Sequence, residues 1–162
     1  MLTVAANAKT TIVNAAFLQE VKDSNVRLWS VLHELRELRV GTVESRTMAH
    51  DMVELMGELR DSIALEFSLE ETYGFIEGAS RIGGLGMPDA GMSKIQHREL
   101  YLQLNELCEQ VEEAQYRGTI ARDLPIYLES FQRFDLAMHA HEEFESELIR
   151  CALGVRAQRV SK

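Results

Sequence analysis

Apolar residues recur at three- and four-residue spacing through nearly the whole chain, and its only two prolines, Pro88 and Pro125, stand outside the long periodic runs. A proline inside a helix costs about 3 kcal/mol. A chain of 162 residues with so few is therefore free to build long helices. The breakers divide it into four. Helix A is predicted over about residues 11–40, where Phe17, Leu18, Val21, Leu28, Val31, Leu32, Leu35 and Leu38 keep helical register before Gly41 and Thr42. Helix B is predicted over about 43–78, on the stripe Met48, Met52, Leu55, Met56, Leu59, Ile63 and Phe67, with the methionines as adaptable core filler. Residues 78–91, GASRIGGLGMPDAG, hold five glycines and a proline. They read as a flexible connection, and no strand–helix unit adjoins them that would make them a phosphate cradle. Helix C is predicted over about 93–117, capped by Ser93 and ended by Gly118. Helix D is predicted over about 124–153, with Asp123 as N-cap, Pro125 in its first turn and Gly154 closing it. No segment combines two-residue alternation with β-branched enrichment. Four long helices and mostly short connections predict one all-α domain, residues 1–162, folded as an antiparallel up-down-up-down four-helix bundle.

Charge narrows the function. With 26 acidic and 17 basic residues the net charge is −9, which gives no electrostatic reason to bind nucleic acid or an anionic membrane. Arg150, Arg156, Arg159 and Lys162 gather near the C-terminus and read as a solvated helix end and tail. Cys108 and Cys151 form no Cys-x-x-Cys pair, and read as reduced thiols in a cytoplasmic protein. No apolar run approaches the ~18 residues of a membrane span. The opening MLTVAANAK lacks the charged start and apolar centre of a signal peptide.

The informative residues are the polar ones in phase with the apolar stripes, because a bundle core has no other use for them. An unpaired buried carboxylate is costly, so a core Glu is normally paired or metal-bound. Helix B offers Glu66 and Glu70, and helix D offers His141 and Glu145, each pair spaced i, i+4 on one face. Helix C offers His97, with Tyr101 one turn further on. At 1.5 Å per residue, Glu70 and Glu145 fall about 12 Å below the B–C end, Glu66 and His141 about 18 Å, and His97 about 6 Å. Five side chains from three helices thus share a level. On helix A, His33 lies too far toward the opposite end, and Asn25 stands nearer the level as a weak ligand or donor. A competing placement puts the three glutamates on solvated faces beside Glu71, Glu142 and Glu143. His139 points about 160° away from His141, and His50 opens helix B, so both read as rim histidines. Trp29 reads as core packing. No Ser/His/Asp or Cys/His nucleophile set is present, and no catalytic residue is identified.

The segments carrying these residues are FLQEVKDSNVRLW, LRDSIALEFSLEETYGF, QHRELYLQL and HEEFESELI. Together they resemble the hemerythrin-like (HHE cation-binding) family over about Phe17 to Leu153. The resemblance implies a four-helix bundle around a two-iron centre that binds oxygen or senses iron, oxygen or redox state. The family pattern carries a histidine where this chain has Asn25, and reads His-x-x-x-Glu where this chain has Glu66 and Glu70, while His97, His141 and Glu145 match as they stand. The implied metal set is therefore Glu66, Glu70, His97, His141 and Glu145, with Asn25 as a further contributor. Fewer imidazoles and more carboxylates favour hard cations such as iron or manganese, in the manner of di-iron carboxylate bundles. Expected partners are the metal ion and dioxygen. Two other readings stand beside this one. In the first, Glu–His hydrogen bonds satisfy a metal-free core and the chain is a helical interaction module. In the second, the chain is an oxidase-like enzyme, for which no substrate pocket is legible.

Overall fold

The computed structural model describes residues 9–38, 45–79 and 90–160. It is a helical bundle with a small ribbon at one end. In chain order the elements are β1 (Lys9–Val13), α1 (Ala15–Ser24), α2 (Val26–Glu37), α3 (Ser45–Leu69), a π-helical turn (Glu70–Gly74), β2 (Phe75–Ala79), α4 (Ala90–Arg117) and α5 (Ile120–Val160). Helix α2 packs on α3, α3 on α4 and α4 on α5, while α1 lies against α5 and the π turn. The sequence expectations for residues 39–43 and for loop positions 80–89, Pro88 included, lie outside the described residues.

The helices differ from their predicted bounds for physical reasons. Helix A is two helices with Asn25 between them, its N–H still bonded to the Val21 carbonyl at 3.2 Å. In an unbroken helix Lys22 and Leu28 would stand about 120° apart, yet both are buried. The break falls between the two. Helix B does not reach Gly78. Its α-helix stops at Leu69 and the chain leaves the π turn as β2, which pairs antiparallel with β1 from Lys9↔Ala79 to Val13↔Phe75. The β-branched run Thr10–Val13 suits a strand. At five residues it is too short to show a period against the adjoining helical pattern.

Ser93 does not cap helix C, which begins at Ala90. It lies inside α4, fully buried. Gly118 does end α4, in the left-handed region at φ 72° that glycine enters without steric cost. Helix D starts four residues early because Ile120 and Leu124, one turn apart, both bury in the main core. Asp123 therefore sits within the helix, paired to Arg122, and Pro125 falls in the second turn. Gly154 lies within α5 and lacks the positive φ of a helix-ending glycine. No described helix is long and apolar enough to cross a membrane.

Burial falls into two clusters. The main core runs from Leu28 and Leu32 through Met52, Met56 and Ile63 to Leu104, Phe131, Phe134 and Met138. A smaller one at the ribbon end joins Val13, Ala15, Leu18, Phe75, Leu148 and Ile149. Trp29, expected in the core, is 37% exposed at its edge. Each chain segment crosses from one cluster to the other through ionisable residues: Leu18 to Leu28 past Lys22, Ile63 to Phe75 past Glu66 and Glu70, Met138 to Leu148 past His141 and Glu145. A polar layer thus lies between two apolar ones.

Gly74, at the end of the π turn, is what lets the end cap close. A Cβ there would run into the buried Leu18 side chain. Gly74→Ala is expected to destabilise the fold by about 1–3 kcal/mol, the usual cost of overpacking. Gly57→Ala, whose Cβ meets nothing within 4 Å, is expected to be neutral or stabilising by up to ~1 kcal/mol. Urea denaturation of the two variants side by side checks both signs.

Candidate metal centre

Burial decides where the glutamates go. Glu66, Glu70 and Glu145 are 1%, 0% and 0% exposed, and His97 and His141 each 2%. Glu66, near the end of α3, and Glu70, at the start of the π turn, share the inward face with Ile63 and Phe67. The helix widens into its π turn at Glu70, and such turns recur at functional sites. On α5 the i, i+4 spacing stacks His141 over Glu145. From α4, His97 lies flat against Phe67, with ring centroids 4.0 Å apart, and meets His141 edge-on at 4.8 Å.

The structure brings four of the predicted residues together. Glu70, His97, His141 and Glu145 each offer a ligand atom within 4.8 Å of the others, and the group can hold a metal ion. Glu145 Oε1 lies 3.0 Å from His97 Nε2 and touches His141 Nε2. Glu70 Oε2 lies 3.2 Å from His97 Nε2. On the far side of each ring, His141 Nδ1–H donates to Gln96 Oε1 at 2.8 Å and His97 Nδ1 faces Glu71 Oε1 at 3.3 Å. A bond of this kind on one ring nitrogen fixes which nitrogen is free to ligate. Ser93 Oγ closes the near side, 3.5 Å from His97 Nε2. Between α4 and α5 a cleft of about 230 Å³, lined by Gln96, Leu100, Ala137, Ala140 and His141, reaches the layer from outside.

Two predicted residues stand differently. Glu66 is buried beside the four but is not one of them, and neither of its carboxylate oxygens has a partner. Asn25 is half-buried at the α1–α2 break and its side chain makes no capping bond. Helix α1 sends in Lys22 instead. Its ammonium lies 2.7 Å from Glu142 Oε2, 3.6 Å from Glu145 Oε2 and 3.8 Å from Glu70 Oε1. Sequence reasoning passes over Lys22, although it stands one turn after Leu18 on the same face. It also assigns Glu142 to solvent, where the structure half-buries it against that lysine. Gln96 gives no sequence signal, since only the adjacency of α5 reveals its role. His50 and His139 are exposed, each paired with a glutamate one turn on.

The electrostatics show a layer short of positive charge. Burial raises the Glu66 carboxyl to about 7, helped by Glu142 and Glu145 and opposed by Lys22. Burial likewise raises Glu70 to about 8, opposed by the His97 imidazole beside it. Burial disfavours charge on His97, but Glu145 and Glu70 outweigh it and lift the imidazole to about 9. Glu145 is held far below the carboxylate range despite burial, by His141, His97 and Lys22. Lys22 is raised above its ordinary value, Glu145, Glu142 and Glu70 overcoming its burial. Among the described residues, the buried side-chain atoms without a hydrogen-bond partner all belong to this layer: Glu66, Glu70, His141, Glu142 and Glu145. No family model, curated protein or solved structure matches the chain, so the chemistry rests on these side chains alone.

Without metal, the layer should make stability depend on pH. A carboxyl raised from 4.5 in the unfolded chain to about 7 when folded favours folding below pH 4.5, and that contribution is lost as pH rises to 7. For Glu66 the loss is about 3 kcal/mol, at 1.36 kcal/mol per unit. Metal-free protein is expected to melt at progressively lower temperature between pH 5 and 7. Glu66→Gln should flatten that slope, and an unchanged slope in the variant would show that Glu66 is not its source.

Proposed function

We propose that this chain is a hemerythrin-like metal-binding protein, an up-down-up-down bundle that holds iron or manganese and serves in sensing or handling iron or oxygen. Glu70, His97, His141 and Glu145 are its ligands, with Glu66 as an accessory carboxylate. The observation that carries the reading is the convergence of the unpartnered buried atoms on one cluster of two carboxylates and two imidazoles. Burying such groups without compensation costs several kcal/mol, and a divalent cation supplies the compensation at one stroke. A mixed oxygen and imidazole set suits iron or manganese over thiol-seeking metals. The altered helix A and helix B positions, Asn25 and Glu66, separate this chain from the family pattern it resembles.

A second reading has its own support. Lys22 and His97 already pair with Glu142, Glu145 and Glu70, as a metal-free helical interaction module would require. Metal content decides between them. Protein produced with added iron or manganese and purified without chelators is expected to carry close to stoichiometric metal, measured by elemental mass spectrometry. Less than about one-tenth of an ion per chain, with no change in melting temperature on chelation, would leave the module reading. Metal held at one hundred times its Kd adds about 2.7 kcal/mol to stability, so chelation should lower Tm by roughly 5–10 °C. Gln96→Leu removes only the group that orients His141, and is expected to weaken metal affinity by about 10–100-fold, as read by competition with a chelator of known affinity.

A further inference from the structure

The side chain that a metal-ligand set does not call for is Lys22. It is 9% exposed, and its three charged neighbours are all carboxylates: Glu142, Glu145 and Glu70. Two of those carboxylates divide their oxygens in the same way. Glu145 turns Oε1 to His97 and His141 and Oε2 to Lys22. Glu70 turns Oε2 to His97 and Oε1 to Lys22. A carboxylate that bridges two metal ions also presents one oxygen to each. Here the imidazole side offers one cation position, and the opposite side already holds an ammonium. Paired metals in two-ion sites stand about 3.5–4 Å apart, and such a second ion would have to enter the space that the Lys22 ammonium fills and overcome its repulsion. Lys22 hydrogen-bonds only Glu142 Oε2, at 2.7 Å; it holds Glu145 Oε2 and Glu70 Oε1 by ion pairing at 3.6 and 3.8 Å, with no hydrogen bond to either.

We propose that Lys22 is a built-in second cation, which makes the centre mononuclear: one divalent metal ion on the imidazole side of Glu70 and Glu145, and a lysine ammonium where a second ion would sit. The inference rests on the metal-binding reading above. It adds to that reading a stoichiometry and the residue that sets it.

Titration with Mn(II) tests it, with free Mn(II) followed by electron paramagnetic resonance and bound metal counted after gel filtration. Wild-type protein is expected to saturate at one ion per chain. Lys22→Glu, which replaces the ammonium with a fourth carboxylate at that position, is expected to take up two. Lys22→Met keeps the length of the side chain and removes the charge, and should bind the first ion at least tenfold more tightly. A lysine that only propped up the fold would give the opposite, weaker binding in Lys22→Met, and that result overturns the proposal. Two ions in the wild type, or one in a folded Lys22→Glu, also overturns it while leaving the metal-binding reading intact. No Mn(II) bound by the wild type, with Fe(II) giving the same result, removes that reading and this inference with it. If circular dichroism shows Lys22→Glu unfolded, the Lys22→Met affinity decides alone.

Discussion

Everything in this fold is arranged around the cost of keeping charge out of water. Glu66, Glu70 and Glu145 are buried between two apolar clusters, where the attraction between opposite charges and the penalty for an unpaired one are both larger than at the surface. The layer answers with the groups the chain can supply: one ammonium from α1, one imidazole from α4 and one from α5. Those groups satisfy part of the negative charge and leave a defined remainder. The remainder is what makes the layer able to hold a metal ion, whereas a matched salt-bridge network would leave no charge to be met from outside the chain.

Backbone irregularities serve the same end. The interruption at Asn25 separates α1, whose Lys22 faces the carboxylates, from α2, whose Leu28 enters the main core. The π turn at Glu70 begins at the residue that enters the layer, and it ends at Gly74, where Leu18 approaches too closely for any side chain. The strands β1 and β2 then fasten the start of the described chain to the segment just past the site.

The sequence makes the helices legible because their periodicity is long and their breakers few. It makes Glu70, His97, His141 and Glu145 legible because each pair or single residue keeps phase with an apolar stripe, and phase is a local property. The features it hides depend on tertiary neighbours. Lys22 looks like any surface lysine until α5 brings Glu142 and Glu145 against it, and Gln96 means nothing until His141 lies opposite. Asn25 reads as a ligand from its height, but height along a helix says nothing about an interruption in that helix. The ribbon escapes because five residues cannot display a two-residue period against a helical background. Gly154 misleads because a glycine ends a helix only if the backbone there takes a positive φ, and that is set by the packing of the residues beyond it.

The two apolar clusters are unequal, and that inequality bears on how an ion would enter. The main core joins residues from four long helices, whereas the end cap relies on six buried residues, three of them from β1 and α1 and one from β2. Local opening is cheapest where least apolar surface is exposed. Separation of β1 and α1 from α5 is therefore the least costly opening, and it exposes the Lys22 side of the layer while α3, α4 and α5 stay packed through the larger core. The polar layer thus has a thin roof and a thick floor. Opening of that roof is set by its own local stability, a quantity separate from the stability of the protein as a whole.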